Sequence, residues 1–173
     1  MIAEIRKAFE VEDHSALRSI AVELAKKAAV EQDKASAQLS VIAYSLSKML
    51  TKTHFRRSPH WKEYKAAIVS MLLDAEKGKD GNLIERVEQI IRKIDAEDGH
   101  FVKNVVDKAR SKMAAIAYSV GISVSLAAKL FGSDMHDLYD YLGKMRVHDE
   151  EQTRTGIKER VSALRRLLNA GSR

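Results

Sequence analysis

One segment near the middle of the chain interleaves positive charges with aromatic rings, a mixture that can bind polyanions. From Lys52 to Lys65 it reads Lys-Thr-His-Phe-Arg-Arg-Ser-Pro-His-Trp-Lys-Glu-Tyr-Lys, and it is named here the basic–aromatic segment. Ammonium and guanidinium groups attract phosphates, while aromatic rings can stack on bases. Counted from Lys48, the stretch holds six cations against one acid, Glu63, for a net charge of +5.

The arginines of this segment are its better candidates for binding. The sequence Ser58-Pro59 predicts a helix start, with Ser58 as N-cap, and the free N–H groups there can bind an anion beside Arg56 and Arg57. Trp61 and Tyr64 fit the apolar stripe of the helix that follows, so we expect them in the core rather than in a binding surface.

A second basic group closes the chain. From Arg154 to Arg173 six cations stand against one acid, Glu159, again a net charge of +5. The whole chain carries only +6, so the remainder is slightly acidic. Together the two groups predict these nucleic-acid contacts: Lys52, Arg56, Arg57, Lys62, Arg165 and Arg166.

The stretch from Gly121 to Gly143 has the layout of a helix-turn-helix. Ala127 and Ala128 are small enough for a helix crossing, Gly132 can take a left-handed turn, and Ser133 is predicted to cap the second helix. That second helix carries Asp134, Asp137 and Asp140 but no Lys or Arg. An acidic surface is repelled by phosphates, so the expected DNA-reading helix has the wrong charge for that role.

On these residues, the segment from about Met113 to Asp149 resembles the helix-turn-helix of small antitoxin-type DNA-binding regulators. The resemblance implies binding to DNA. The acidic surface favours a second interpretation, a degenerate helix-turn-helix that docks a basic protein partner or self-associates. The partner-binding residues are then expected to be Asp134, Met135, His136, Asp137, Tyr139 and Asp140.

Helical periodicity runs through the rest of the sequence, and strand patterns are weak. Asp13 is predicted to cap a helix with an Ala-rich apolar face, and Asn82 with Glu85 forms a capping box. We predict an all-α, multi-helix bundle of antiparallel helix hairpins with a C-terminal helix-turn-helix-like module. The expected parts are a bundle (1–120), the helix-turn-helix-like module (121–149) and a closing basic helix (150–173), in one compact unit.

Several kinds of chemistry have no support in the sequence. There is no cysteine, which excludes disulfides and Cys-based zinc sites. No apolar run reaches membrane-spanning length, and the first residues do not resemble a secretory signal, so we expect a cytoplasmic protein without membrane contact. No phosphate-binding loop, zinc-protease helix or nucleophile elbow is present. The sequence therefore favours a non-catalytic protein without metal or cofactor.

Two functions remain. The leading one is a regulatory protein that associates with nucleic acid through its basic groups. The alternative is a protein-interaction adaptor that uses the acidic helix.

Overall fold

The computed structural model describes residues 1–78, 83–97 and 105–152, without the side chains of residues 54, 95–97 and 145–152. These ranges contain nine α-helices and no strand, which confirms the prediction of an all-α bundle. The helices are α1 (Ile2–Glu10), α2 (His14–Glu31), α3 (Lys34–Thr51), α4 (Thr53–Arg57), α5 (Trp61–Glu76), α6 (Leu83–Glu97), α7 (Val105–Val120), α8 (Val124–Phe131) and α9 (Met135–Gln152).

The chain divides into two compact units, Met1–Leu138 and Tyr139–Arg173. The first unit holds α1 to α8 and the first turn of α9. In the second unit the described part is the remainder of α9. None of the helices in the described ranges combines the length and apolar character that a membrane crossing requires.

Two aspartates cap the N-termini of α2 and α3. Oδ1 of Asp13 accepts hydrogen bonds from the backbone N–H groups of Ser15 (3.0 Å) and Ala16 (2.9 Å), so the predicted cap of α2 is confirmed. Asp33 caps α3 in the same way through Ala35 and Ser36. Hydrogen bonds from Ser36, with its side chain contributing most, hold the pKa of Asp33 below the ordinary value.

The Ala-rich face of α2 lies in the core as predicted. Leu17, Leu24 and the alanines between and beyond them are buried against α3 and α7. Small side chains let helix axes approach closely, and the buried residues run along α2 from Leu17 to Ala29.

Helix α3 is the central element of the bundle, packing against α1, α2, α4, α6, α7 and α8. Its sequence predicts a single apolar face that includes Ala35. The predicted face is too narrow, because most residues from Ser36 to Leu50 are buried, and it wrongly includes Ala35, which is exposed. Neighbours on nearly every side bury the polar serines as well. One of them, Ser47, donates its Oγ hydrogen to the backbone oxygen of His14 at 2.9 Å.

Candidate nucleic-acid interface

The basic–aromatic segment folds as a short helix, a turn and the start of a longer helix. Helix α4 is anchored by Phe55, whose ring is fully buried. The Nζ of Lys52 lies 5.9 Å from the centroid of that ring, which places the cation over the aromatic face. Phe55 therefore fixes the segment to the core and is not exposed to stack on a base.

The prediction that Ser58-Pro59 begins a helix is wrong by two residues. Helix α5 begins at Trp61, with His60 as the N-cap residue and no side chain capping it. The N–H of Trp61 donates to the backbone oxygen of Ser58 (3.1 Å), so Pro59 occupies the second position of a tight turn, where its fixed φ is favourable. Burial of Phe55 ahead of the turn and packing of Trp61 after it decide where α5 starts.

The aromatic rings after the turn pack against the protein. Trp61 is half-buried and meets the buried Phe9 of α1 edge-on, with ring centroids 6.4 Å apart and an interplanar angle of 80°. Tyr64, also half-buried, lies against His60 in a similar edge-on contact with a centroid distance of 6.1 Å. These rings stabilise the segment, so its exposed chemistry is mainly cationic.

Three of the predicted contact residues are exposed cations: Arg56, Arg57 and Lys62. Arg57 ends α4 and Lys62 lies in the first turn of α5, so the two flank the turn. Within the described part of the chain, neither has an ion-pair partner. The N–H of Trp61 is taken by Ser58, but no side chain caps the first turn of α5, so the following N–H groups add positive partial charge beside Lys62. The exposed Glu63 in the same turn offsets part of it.

Arg56 and Lys65 contact an acid from a distant part of the chain. Glu12, between α1 and α2, lies with its Oε1 2.6 Å from Nζ of Lys65 and with its Oε2 3.6 Å from Nη2 of Arg56. Lys65 also donates to the backbone oxygen of Glu10 at 3.2 Å. The Arg56 side chain nevertheless stays 59% exposed, so Glu12 offsets its charge without burying it.

The cations around Glu12 lower the pKa of its carboxyl group. Its hydrogen bond with Lys65 is the main reason that its pKa lies below the ordinary value, and the charges of Lys65 and Arg56 add to the effect. The backbone of Glu12 takes the left-handed conformation, with φ of 57°, which is uncommon outside glycine. A structured turn therefore places this carboxylate against the basic–aromatic segment.

Sequence reasoning missed one cation near the segment. Lys93 of α6 is exposed, and its Nζ lies 5.9 Å from the centroid of the Tyr64 ring. Only the packing of α5 against α6 brings the two together. No pattern in the sequence indicates this neighbour, because Lys93 lies in an ordinary amphipathic helix.

The remaining predicted basic contacts, Arg165 and Arg166, lie outside the described residues. So do residues 153–173 of the predicted closing basic helix (150–173), whose first three residues continue α9, and Asn82 of the predicted capping box. The structure thus brings together Lys52, Arg56, Arg57 and Lys62 and leaves the C-terminal cations as a prediction.

The turn before α9 has well-defined local geometry. Ser123 caps α8 by accepting from the N–H of Leu126, and Gly132 ends it in the left-handed conformation, with φ of 63° and ψ of 32°. The backbone oxygen of Ala128 accepts from the N–H groups of both Gly132 and Ser133. A glycine is favoured at such a helix end because it has no Cβ to clash.

The predicted N-cap of the next helix is wrong by one residue. Asp134, not Ser133, caps α9, because its Oδ1 accepts from the N–H groups of His136 (2.8 Å) and Asp137 (3.1 Å). Ser133 instead pairs its Oγ with Oγ of Ser111 on α7 at 3.0 Å. That contact holds the Ser133 hydroxyl away from the capping position.

The predicted partner-binding residues can now be placed within their own units. In the first unit Asp134 and His136 are exposed, Met135 is 39% exposed, and Asp137 is half-buried. In the second unit Tyr139 is 56% exposed and Asp140 is exposed.

The acids near the turn do not form a metal centre. Among the described residues, no group of three or more His, Asp or Glu side chains is arranged to hold a metal ion. Comparison of the chain with protein-family models, curated proteins and solved structures finds no match.

Proposed function

We propose that this protein is a non-catalytic binding protein that associates with nucleic acid through the basic–aromatic segment. The observation that carries the proposal is the pair Arg57 and Lys62, which are exposed and unpaired within the described residues and flank the uncapped start of α5. Arg56 and Lys52 extend this positive surface. Phosphates are the matching ligands, since cations and helix N–H groups bind them without reading sequence.

The packing of the rings argues for backbone contacts rather than base contacts. Phe55 is buried and Trp61 lies against Phe9, so neither is presented as a stacking platform. Binding that depends on a few phosphates is tolerant of sequence and sensitive to salt. With about three cations engaged, the logarithm of the association constant should fall with the logarithm of salt concentration with a slope of roughly −3 for a duplex.

Fluorescence anisotropy with a labelled duplex and a labelled single strand at two salt concentrations tests this proposal. We expect the double substitution of Arg57 and Lys62 by Ala to weaken binding of every sequence alike. The matched control is Arg18→Ala with Lys26→Ala, which likewise removes one exposed arginine and one exposed lysine, here from α2. Undetectable binding at low salt, or equal losses in both double variants, would refute the proposal.

We also propose the finer architecture that the sequence predicts. An antiparallel hairpin of α2 and α3 is supported by the short connection through Gln32 and Asp33 and by the hydrogen bond from Ser47 to the backbone oxygen of His14.

A helix-turn-helix-like module of α8 and α9 is supported by the left-handed conformation of Gly132 and by the Asp134 cap. The acidic start of α9 opposes phosphates, so this module is not proposed to enter a DNA groove.

A second candidate function is a protein-interaction adaptor. The specific observation in its favour is the start of α9, where the exposed side chains of Asp134, Met135 and His136 combine negative charge with an apolar group. Such a surface suits a basic partner. Asn caps helices as well as Asp does, so Asp134→Asn with Asp137→Asn removes charge while keeping the cap. Loss of binding to a Lys-rich peptide in that variant, with unchanged nucleic-acid binding, would favour the adaptor.

A further inference from the structure

A small cleft lies between the start of α3 and the end of α8. Its volume is about 170 Å³. Its lining includes Lys34, Gln38, Glu88, Arg110, Lys129 and Leu130. The space is too small for a typical cofactor and fits a single charged group with a short substituent.

The charges around the cleft are mostly positive. Lys34 and Lys129 come from different helices, both are exposed, and within the described residues neither has an ion-pair partner. Arg110 and Glu88 also line the cleft, but both carboxylate oxygens of Glu88 lie within 2.8 Å of Nη2 of Arg110, so these two charges offset each other. The positive charge of the lining therefore comes from the two lysines.

The position of Lys34 is not explained by the stability of its own helix. It is the first residue of α3, where the positive end of the helix dipole makes a cation unfavourable. No acid lies in the first turn of α3 to compensate, although Asp33 caps it from outside. A bound anion would attract both the Lys34 ammonium and the positive end of the helix dipole, which otherwise repel each other.

We propose that this cleft binds the phosphate group of a small molecule, with Lys34 and Lys129 as its two ammonium ligands and the Gln38 amide as a further donor. Lysine contributes a compact charge that suits a tetrahedral dianion. The half-buried Leu130 in the lining offers an apolar contact for a short organic substituent. This site is separate from the basic–aromatic segment and goes beyond the nucleic-acid proposal.

Nuclear magnetic resonance titration of the full chain tests the site directly. Inorganic phosphate and glycerol 3-phosphate are added in separate experiments at constant ionic strength, with sodium chloride as the control titrant. We expect saturable shifts at the Gln38 side-chain amide and at the Gly132 backbone amide. Tighter binding of glycerol 3-phosphate would identify a phosphomonoester as the ligand, and equal binding would identify free phosphate.

Matched charge-removing variants make the result decisive. Lys34→Gln and Lys129→Gln should each weaken phosphate binding roughly tenfold, as expected for the loss of one charge-assisted hydrogen bond. Lys26→Gln on α2 should leave it unchanged, and so should the Arg57 and Lys62 double variant, which separates this site from the nucleic-acid surface. All three lysines are exposed, so folding is expected to be retained and is checked by thermal unfolding. Shifts that do not saturate, or an equal loss in Lys26→Gln, would overturn the proposal.

Discussion

Glu12 and Lys65 are joined by an ion pair of 2.6 Å, although 53 residues separate them in the chain. The same carboxylate lies 3.6 Å from Arg56. One acid at the turn between α1 and α2 therefore neutralises part of the charge of the basic–aromatic segment. Any polyanion that binds the segment has to compete with it.

Glu12→Gln is accordingly expected to strengthen nucleic-acid binding. Removing the negative charge that lies 3.6 Å from Arg56 lessens the repulsion of a bound phosphate, so the affinity should rise roughly threefold in low salt, and less at physiological ionic strength. Fluorescence anisotropy with the same duplex measures the change. Glu23→Gln, which removes an exposed acid from α2, serves as the control. An affinity unchanged by Glu12→Gln but raised by Glu23→Gln would contradict the placement of the binding surface.

The pH dependence of stability provides an independent test of the Glu12 ion pair. The folded-state pKa of Glu12 is lowered from 4.5, so the stabilisation is complete above that pH and is lost as pH falls through the lower folded-state value. The side chain is 37% exposed, and solvent screening limits the effect to less than about 1 kcal/mol. Urea unfolding between pH 2 and 7 should show the native chain more stable than Glu12→Gln only at the upper end. A difference that stays constant over this range would argue against the ion pair.

Gly132→Ala is expected to destabilise the first unit by about 1–2 kcal/mol, because its φ of 63° is costly for a residue with a Cβ. The nearest atoms to an added Cβ belong to Arg110 at 3.9 Å, an ordinary contact, so the cost arises from the backbone. Gly132→Asn should cost less, since Asn tolerates this conformation.

Gly143→Ala is the control, because it is expected to raise the free energy of unfolding where Gly132→Ala lowers it. Gly143 lies within α9 with no atom near an added Cβ, and alanine is favoured over glycine there by roughly 0.5–1 kcal/mol. Chemical unfolding of the three variants gives the comparison. If Ala were harmless at position 132, the left-handed turn would not be present in solution.

The cap of α9 is the fourth test. Asp134→Ala should cost about 1 kcal/mol, because two backbone N–H groups lose their acceptor, whereas Asp134→Asn should be nearly neutral. Ser133→Ala removes the hydroxyl contact with Ser111 and leaves the cap in place. Far-ultraviolet circular dichroism and thermal unfolding measure both effects. Loss of α9 helicity in Ser133→Ala, with none in Asp134→Ala, would restore Ser133 as the cap.

The features that the sequence predicted well are local ones. The Asp13 cap and the buried face of α2 follow from spacing within one helix, and both are confirmed. The start of α5 was misplaced because the local preference of Ser58-Pro59 was outweighed by the packing of Phe55 and Trp61.

Features that depend on distant residues could not be predicted in the same way. Periodicity indicates one buried face for α3, but its burial on most sides comes from six neighbouring helices. Likewise, no sequence pattern places Glu12 beside Lys65, or Lys93 beside Tyr64. The exposed cations Arg57 and Lys62 were predicted from type and spacing alone, while the neighbours that modulate the segment required the fold.

Because α3 is buried on most of its circumference, hydrogen exchange of its backbone amides can be used to measure the stability of the first unit. Amide hydrogens in the middle of a helix enclosed by six others are expected to exchange with solvent mainly when the whole unit opens. Their exchange rates in deuterated water would then report the free energy of global unfolding under native conditions. Faster-exchanging amides in the short helix α4 would report local opening separately, so one experiment could distinguish damage to the bundle from loosening of the basic–aromatic segment.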